Sequence, residues 1–329
     1  MMKEKYAWTQ QKADFLLVLV TMAWGSSYLL MKFGLGTIPP FCLILLRFGI
    51  GFLAVVPFFF GRLRKTGRRE LEISALLGFL LFLCFAAMLY GLKRTSASSA
   101  AFLNASAVVM VPVFHAVLLR KMPEKPVIFG SLATMAGIGF LSLEGGFSIQ
   151  PGDLWSIISA VLYASHILVT SWAVRRTDSL RIGIWQLFFA ALFAGAASFL
   201  LETPALPESP DGWGAILGLA LICSSFGLVA QSVAQRYTTP EHVSLLFSLE
   251  PVFSAIFAFF LTGEIFTARE LAGAILVLLG VFSASRPAGA KRAGRAPRTC
   301  RKPEAGSQPD ARRKPGARRK SGAYSQPEA

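Results

Sequence analysis

Apolar runs of 18 or more residues follow one another along almost the whole chain, parted by short polar stretches. Each run is long enough for a helix to cross a bilayer core about 30 Å thick. Ten are read: residues 15–33, 38–60, 73–92, 99–119, 126–145, 152–173, 181–201, 213–235, 243–262 and 268–285. The pattern predicts an all-α integral membrane protein with ten transmembrane helices. These spans fill residues 15–285 and leave no room for a soluble catalytic domain, so no enzyme is expected.

The chain also matches itself. A shift of 139 places Asp14 on Asp153, Trp24 on Tyr163, Ser26 on Ser165, Ser27 on His166 and Arg47 on Gln186. A shift of 143 places Thr95 on Thr238, Gly130 on Gly273 and Gly137 on Gly280. The triplets Pro112–Phe114 and Pro251–Phe253 align at 139, so the first proline comes one helical turn later in its half. Five spans per half send the second half into the membrane from the opposite side. The expectation is therefore two inverted five-helix repeats, residues 15–145 and 152–285, with a binding site between them near mid-membrane.

Composition agrees with this reading: 54% of the 329 residues are hydrophobic and 16% charged, against about 25% charged in a soluble domain. The net charge of +15 is concentrated, since residues 286–329 hold 13 Lys/Arg and 3 Asp/Glu. That tail has almost no large apolar residues and reads as disordered. Directly after a membrane helix, it suits anionic inner-leaflet lipids, and nucleic acid is not expected. With residues 1–14 placed in the cytoplasm and the tail left out, 15 Lys/Arg at or beyond the span ends fall on the inner side and 4 on the outer. This predicts cytoplasmic termini and a multi-pass protein of the cell membrane. No small-residue cleavage site follows the first run, so that span is expected to be retained. Cys42, Cys84, Cys223 and Cys300 show no paired spacing, so neither a disulfide framework nor a metal site is expected.

The candidate chemistry lies inside the spans. Glu250 falls about eight residues into its helix, about 12 Å deep, where a carboxylate costs roughly 2.5–3.5 kcal/mol. Pro251 lacks the N–H that would bond the Phe247 carbonyl, so the helix opens there. Pro112 is the matching break. Glu250 is read as binding a cationic group or a proton, or as shaping the opened backbone, and Ser254 shares its face. Arg47 has no acid within one turn. It either clamps a substrate carboxylate or locks two helices through backbone carbonyls or a remote acid such as Glu250. Trp24, Ser27 and Met31 share one face of the first span, and Tyr163, His166 and Thr170 share the matched face of the sixth. Aromatic rings there suit a cavity wall and cation–π contact with an amine. Asn104, Gln186, Gln231, Ser224 and Ser225 are further polar candidates. His115 is a weaker one, near the inner end of its helix. Tyr90, Glu144 and Glu264 read as interfacial. Gly130/Gly137, Gly273/Gly280 and Gly214/Gly218 predict close helix packing.

Several of these stretches resemble the EamA type of the drug/metabolite transporter superfamily. They are Ala23-Trp24-Gly25-Ser26, Leu46-Arg47-Phe48, Thr95-Ser96-Ala97-Ser98, Ser248-Leu249-Glu250-Pro251 through Gly263-Glu264, and the Gly273–Gly280 helix. The resemblance covers residues 14–285 and leaves out the basic tail. It implies ten helices, inverted repeats, a central cavity and outward movement of small metabolites. The spans offer an acid, an arginine and aromatics, so amino acids or related amines are the expected substrates, moved by alternating access with a proton on Glu250. The rival expectations are a flippase for a lipid- or nucleotide-linked sugar and a sensor or scaffold acting through the tail. No phosphate loop, H-E-x-x-H or G-x-S-x-G is present, so no nucleotide or other cofactor is expected.

Overall fold

A computed structural model describes residues 9–95, 97–142, 150–262 and 267–285, and every regular element in them is a helix. The first span is α1 (Gln10–Gly25) with α2 (Ser27–Leu35). The second and third are α3 (Pro40–Leu63) and α4 (Arg68–Leu92), and the fourth is α5 (Ala97–Ala105) with α6 (Ala107–Leu119). The fifth, sixth and seventh are α7 (Lys125–Ser142), α8 (Asp153–Val174) and α9 (Ser179–Leu201). The eighth runs from α10 (Pro210–Gly218) through a π-helical stretch, Leu219–Phe226, into α11 (Gly227–Gln235). Each of these eight is long and apolar enough to cross a membrane. α12 (Pro240–Phe247) with α13 (Glu250–Thr262) supplies the ninth span, and α14 (Ala268–Ser285) the tenth. Ser96, Glu144, Gly263, Glu264 and the tail 286–329 lie outside the described residues.

The glycines of the fifth and tenth spans give the relative direction of the two halves. A Cβ on Gly137 would fall 2.7 Å from the Gly273 carbonyl oxygen, and one on Gly273 would fall 2.7 Å from that of Gly137. A Cβ on Gly280 would fall 2.7 Å from the Gly130 oxygen. Gly137 thus opposes Gly273 while Gly130 opposes Gly280, so α7 and α14 run antiparallel with backbones touching. Helices matched by the repeat can pair this way only if the halves enter from opposite sides. The other pairings obey the same exchange. α4 packs on α8 as α11 packs on α1, and α3 packs on its own counterpart α9. Gly214 departs from expectation: open space surrounds the place of its Cβ.

Matched contacts recur at the two ends of the bundle. Thr95 Oγ1 donates to Asp153 Oδ1 at 2.7 Å, and Asp14 Oδ1 lies 3.1 Å from His242 Nε2. At the end where α3 finishes, Arg62 donates to Asp178 Oδ2 from Nη2 at 2.9 Å, and Arg181 Nη1 donates to Glu70 Oε2 at 2.9 Å. Asp178 also caps α9, its Oδ1 accepting from Leu180 N–H and Arg181 N–H. Burial pushes its carboxyl up, but the Arg62 guanidinium and the backbone donors outweigh that and hold it below the usual carboxylate range.

Three spans break at a serine. Ser26, Ser106 and Ser248 each turn Oγ back to a carbonyl three residues earlier, those of Ala23, Leu103 and Leu245. A hydroxyl bonded this way competes with the helical ladder. Pro251 sits in the first turn of α13, just past the last of these breaks. Pro112, expected to break its helix, does not: α6 runs through it, and the break falls six residues earlier at Ser106.

Two outcomes follow. Gly137→Ala forces backbone against backbone and is expected to cost about 1–3 kcal/mol, read as a lowered unfolding midpoint in detergent. Asp178 has its folded-state value below its unfolded one, so its contribution is present at neutral pH and lost as pH falls through the folded value. Wild type should therefore be more stable than Asp178→Asn at pH 7, and the two should converge in acid, as followed by thermal unfolding.

Candidate functional site

The three broken spans and α8 surround a central cavity of about 230 Å³. Its wall includes Tyr28, Asn104, Tyr163, Phe247, Glu250 and Ser254. A smaller recess of about 40 Å³ shares Tyr28, Asn104, Tyr163 and Glu250 and adds Trp24, Ser27, Met31 and Arg47. Glu250 opens α13 and reaches both spaces. Among the described residues its carboxylate has neither a hydrogen-bond nor an ion-pair partner. Ser254, one turn on, lies beside it on the cavity wall.

Arg47 is 2% exposed. Its Nε donates to Ser224 Oγ at 2.8 Å, Nη1 lies 3.5 Å from Met31 Sδ, and the guanidinium sits 4.3 Å over the Phe85 ring. It binds the second span to the eighth through a side-chain hydroxyl, not through backbone carbonyls. No carboxylate among the described residues is in ion-pair contact with it. The recess therefore has an arginine and a glutamate on its wall, each without a counter-charge in contact. A buried charge left this way is costly, so its surroundings favour a ligand that supplies the missing partner.

The π-helical stretch brings the eighth span to this site. Its wider turn leaves the Cys223 carbonyl free, and Trp24 Nε1 donates to it at 2.7 Å. Ser225 Oγ lies 2.7 Å from the Gly51 oxygen and 2.9 Å from that of Ala220. Such a turn inside an α-helix commonly marks a functional position. The Trp24 ring is thereby held 4.8 Å from the Phe247 ring, which lies 6.2 Å from Tyr163 with nearly parallel planes. On the far side, Asn104 joins three spans: its Nδ2 donates to Tyr28 Oη at 3.2 Å and its Oδ1 accepts from Ser159 Oγ at 2.9 Å.

Three expected cavity residues lie elsewhere. His166, Gln186 and Gln231 are fully buried and reach neither space. His166 Nε2 lies 3.0 Å from Gln186 Oε1, and Gln186 Nε2 donates to Ser232 Oγ at 3.2 Å. They form a buried seam between α8, α9 and α11. Three residues of helix turn about 300°, so His166 stands about 60° round from Tyr163, whereas Ile167, a full turn on, keeps the cavity face. Gln231 is buried with both amide atoms unpartnered. Tyr28 and Phe247 were missed by the pattern. Tyr28 stands two residues past the interruption at Ser26.

Ser224→Ala tests the arginine clamp. It leaves Arg47 Nε without its acceptor, and the loss of a charge-assisted bond is expected to cost about 1.5–3 kcal/mol. Chemical denaturation in micelles would measure it.

The EamA-like transporter family matches the chain twice, over residues 11–143 and 150–286. Two proteins of Archaeoglobus fulgidus described as uncharacterized transporters are similar. One is 29% identical over 274 residues, covering 83% of this chain and 85% of its own. The other is 27% identical over 289 residues, covering 82% and 96%. A solved protein crystal structure superposes with a TM-score of 0.72 at 18% identity, covering 84% of this chain and 96% of that one. At that identity the likeness is one of fold.

Proposed function

The chain belongs to the EamA-like transporter family, and on that premise we propose that it moves small polar metabolites, amino acids or related amines, by alternating access through the central cavity. One observation carries the reading: an acid and an arginine, neither in ion-pair contact with another charge among the described residues, share the wall of one recess. A zwitterion has an ammonium for Glu250 and a carboxylate for Arg47. The recess of about 40 Å³ suits a charged head group and the adjoining cavity of about 230 Å³ suits the remainder of the solute. The Tyr28, Tyr163 and Phe247 rings offer an apolar wall that also attracts ammonium groups.

The work of transport falls to these groups in turn. Solute enters from one side, pairs its carboxylate with Arg47 and its ammonium with Glu250 as the acid gives up its proton, and so gains two ion pairs that the empty site lacks. That gain is realised only in the loaded state, so it biases the switch between openings. Glu250 carries a proton when no ammonium is bound, which couples outward solute flux to inward proton flux. The two halves, residues 15–145 and 152–285, rock about the site. Both termini lie in the cytoplasm, where the basic tail meets anionic lipid of the cell membrane.

Counterflow in proteoliposomes tests this. Purified protein is offered a mixed pool of amino acids, amines and carboxylates, and exchanged species are read by mass spectrometry. Exchange confined to solutes with an amino group is expected, falling at least about tenfold in Glu250→Gln and in Arg47→Lys. The latter keeps the charge and loses the planar fork. No exchange from the whole pool by folded protein would sink the reading. Exchange that ignores a collapsed pH gradient, with Glu250→Gln fully active, would remove the proton from it.

A further inference from the structure

α12 is buried along most of its length and packs against α1, α6, α7, α8 and α14. It is eight residues long, about 12 Å, and its first turn is well formed, with Pro240 at the start and Thr239 Oγ1 accepting from His242 N–H. One end meets the cavity, where Ser244, Phe247 and Ser248 form part of the wall. There the helix stops at Ser248–Leu249, because Ser248 turns its hydroxyl back and Pro251 cannot donate to the Phe247 carbonyl. Glu250 is the first residue beyond that junction.

The other end is held from two sides. Glu241 Oε1 contacts His115 Nδ1 on α6, and His242 Nε2 lies 3.1 Å from Asp14 Oδ1 on α1. Adjacent residues of one turn thus reach opposite neighbours, and all four side chains are largely buried. Apart from these pairs, the polar contact to the body of α12 is Thr21 Oγ1, 3.4 Å from the Leu246 oxygen. At the opposite end of the bundle the repeat-matched Asp153 is held by the neutral hydroxyl of Thr95. The charge-capable clasp is therefore on the side where the chain begins.

We propose that α12 is the inner gate of the transport path, hinged at Ser248–Leu249 and latched shut by the Glu241–His115 and His242–Asp14 pairs. The proposal rests on the alternating-access reading. Swinging α12 outward from the bundle breaks the two pairs, separates its apolar face from α1, α6 and α14, and uncovers the wall from Ser244 to Phe247. It leaves α13 and Ser254 in place, so the other side of the cavity need not open with it. Solute on Glu250 bears directly on the hinge.

Thiol labelling tests the gate without any substrate. In a background lacking the four native cysteines, Ser244→Cys and Ser254→Cys are made separately. Each is reacted with a membrane-impermeant maleimide from either face of oriented vesicles. With the latch intact, Ser244→Cys is expected to be protected from the inner face. Adding Glu241→Gln with Asp14→Asn should raise inner labelling of Ser244→Cys at least about fivefold and lower outer labelling of Ser254→Cys. Inner labelling that does not change, or labelling that rises at both positions together, would overturn the gate. Because no solute is involved, a failed substrate class in counterflow leaves this result standing, and the reverse holds too.

Discussion

A backbone amide or carbonyl has no water to turn to inside a bilayer, so a membrane helix stays whole unless something else satisfies the groups that a break exposes. That constraint organises this protein. Its first, fourth and ninth spans are interrupted, and at each interruption a serine hydroxyl bonds the carbonyl three residues earlier. The eighth span widens into a π-turn, where Trp24 Nε1 donates to the Cys223 carbonyl and Ser225 Oγ bonds the Gly51 carbonyl of α3. The interrupted spans converge on one cavity. Irregular backbone is tolerated there because protein, and not lipid, surrounds it.

The bundle that permits this is built from contacts between the halves. α7 and α14 touch backbone to backbone across Gly137 and Gly273, and α3 lies on α9. Neither half has a core of its own of comparable extent. Small residues do the work of association, as expected where lipid is as apolar as leucine and only close packing favours one helix over a neighbouring chain of lipid. The inverted arrangement also sets like positions at opposite ends, so that Asp14 and Asp153 both anchor the start of a broken span.

Charge is placed sparingly against this apolar background. Arg47 is fixed by Ser224, Met31 and Phe85, and Glu250 stands at the head of α13 with no hydrogen-bond or ion-pair partner among the described residues. The first is an immobile donor held between spans two and eight. The second belongs to a helix junction. In the proposed mechanism, one fixed charge and one charge at a helix junction tie occupancy to backbone movement.

The run lengths of apolar residues and their self-similarity were enough to give an all-helical membrane bundle of ten spans in two inverted sets, because lipid punishes any other use of such runs. The glycine spacing at 130/137 and 273/280 and the Glu250-Pro251 junction were also readable, since each depends on residues within a turn or two. Which side chains share a cavity was not. His166 and Gln186 are on a turn beside the expected face but bond each other, Tyr28, the residue after Ser27, lines the site, and α6 runs unbroken through Pro112. The pairing of His115 with Glu241 and of Asp14 with His242 joins residues far apart in the chain. Helical periodicity fixes a side chain's angle about its own axis only. The rotation of each helix against its neighbours, and therefore what each side chain meets, comes from packing among all ten.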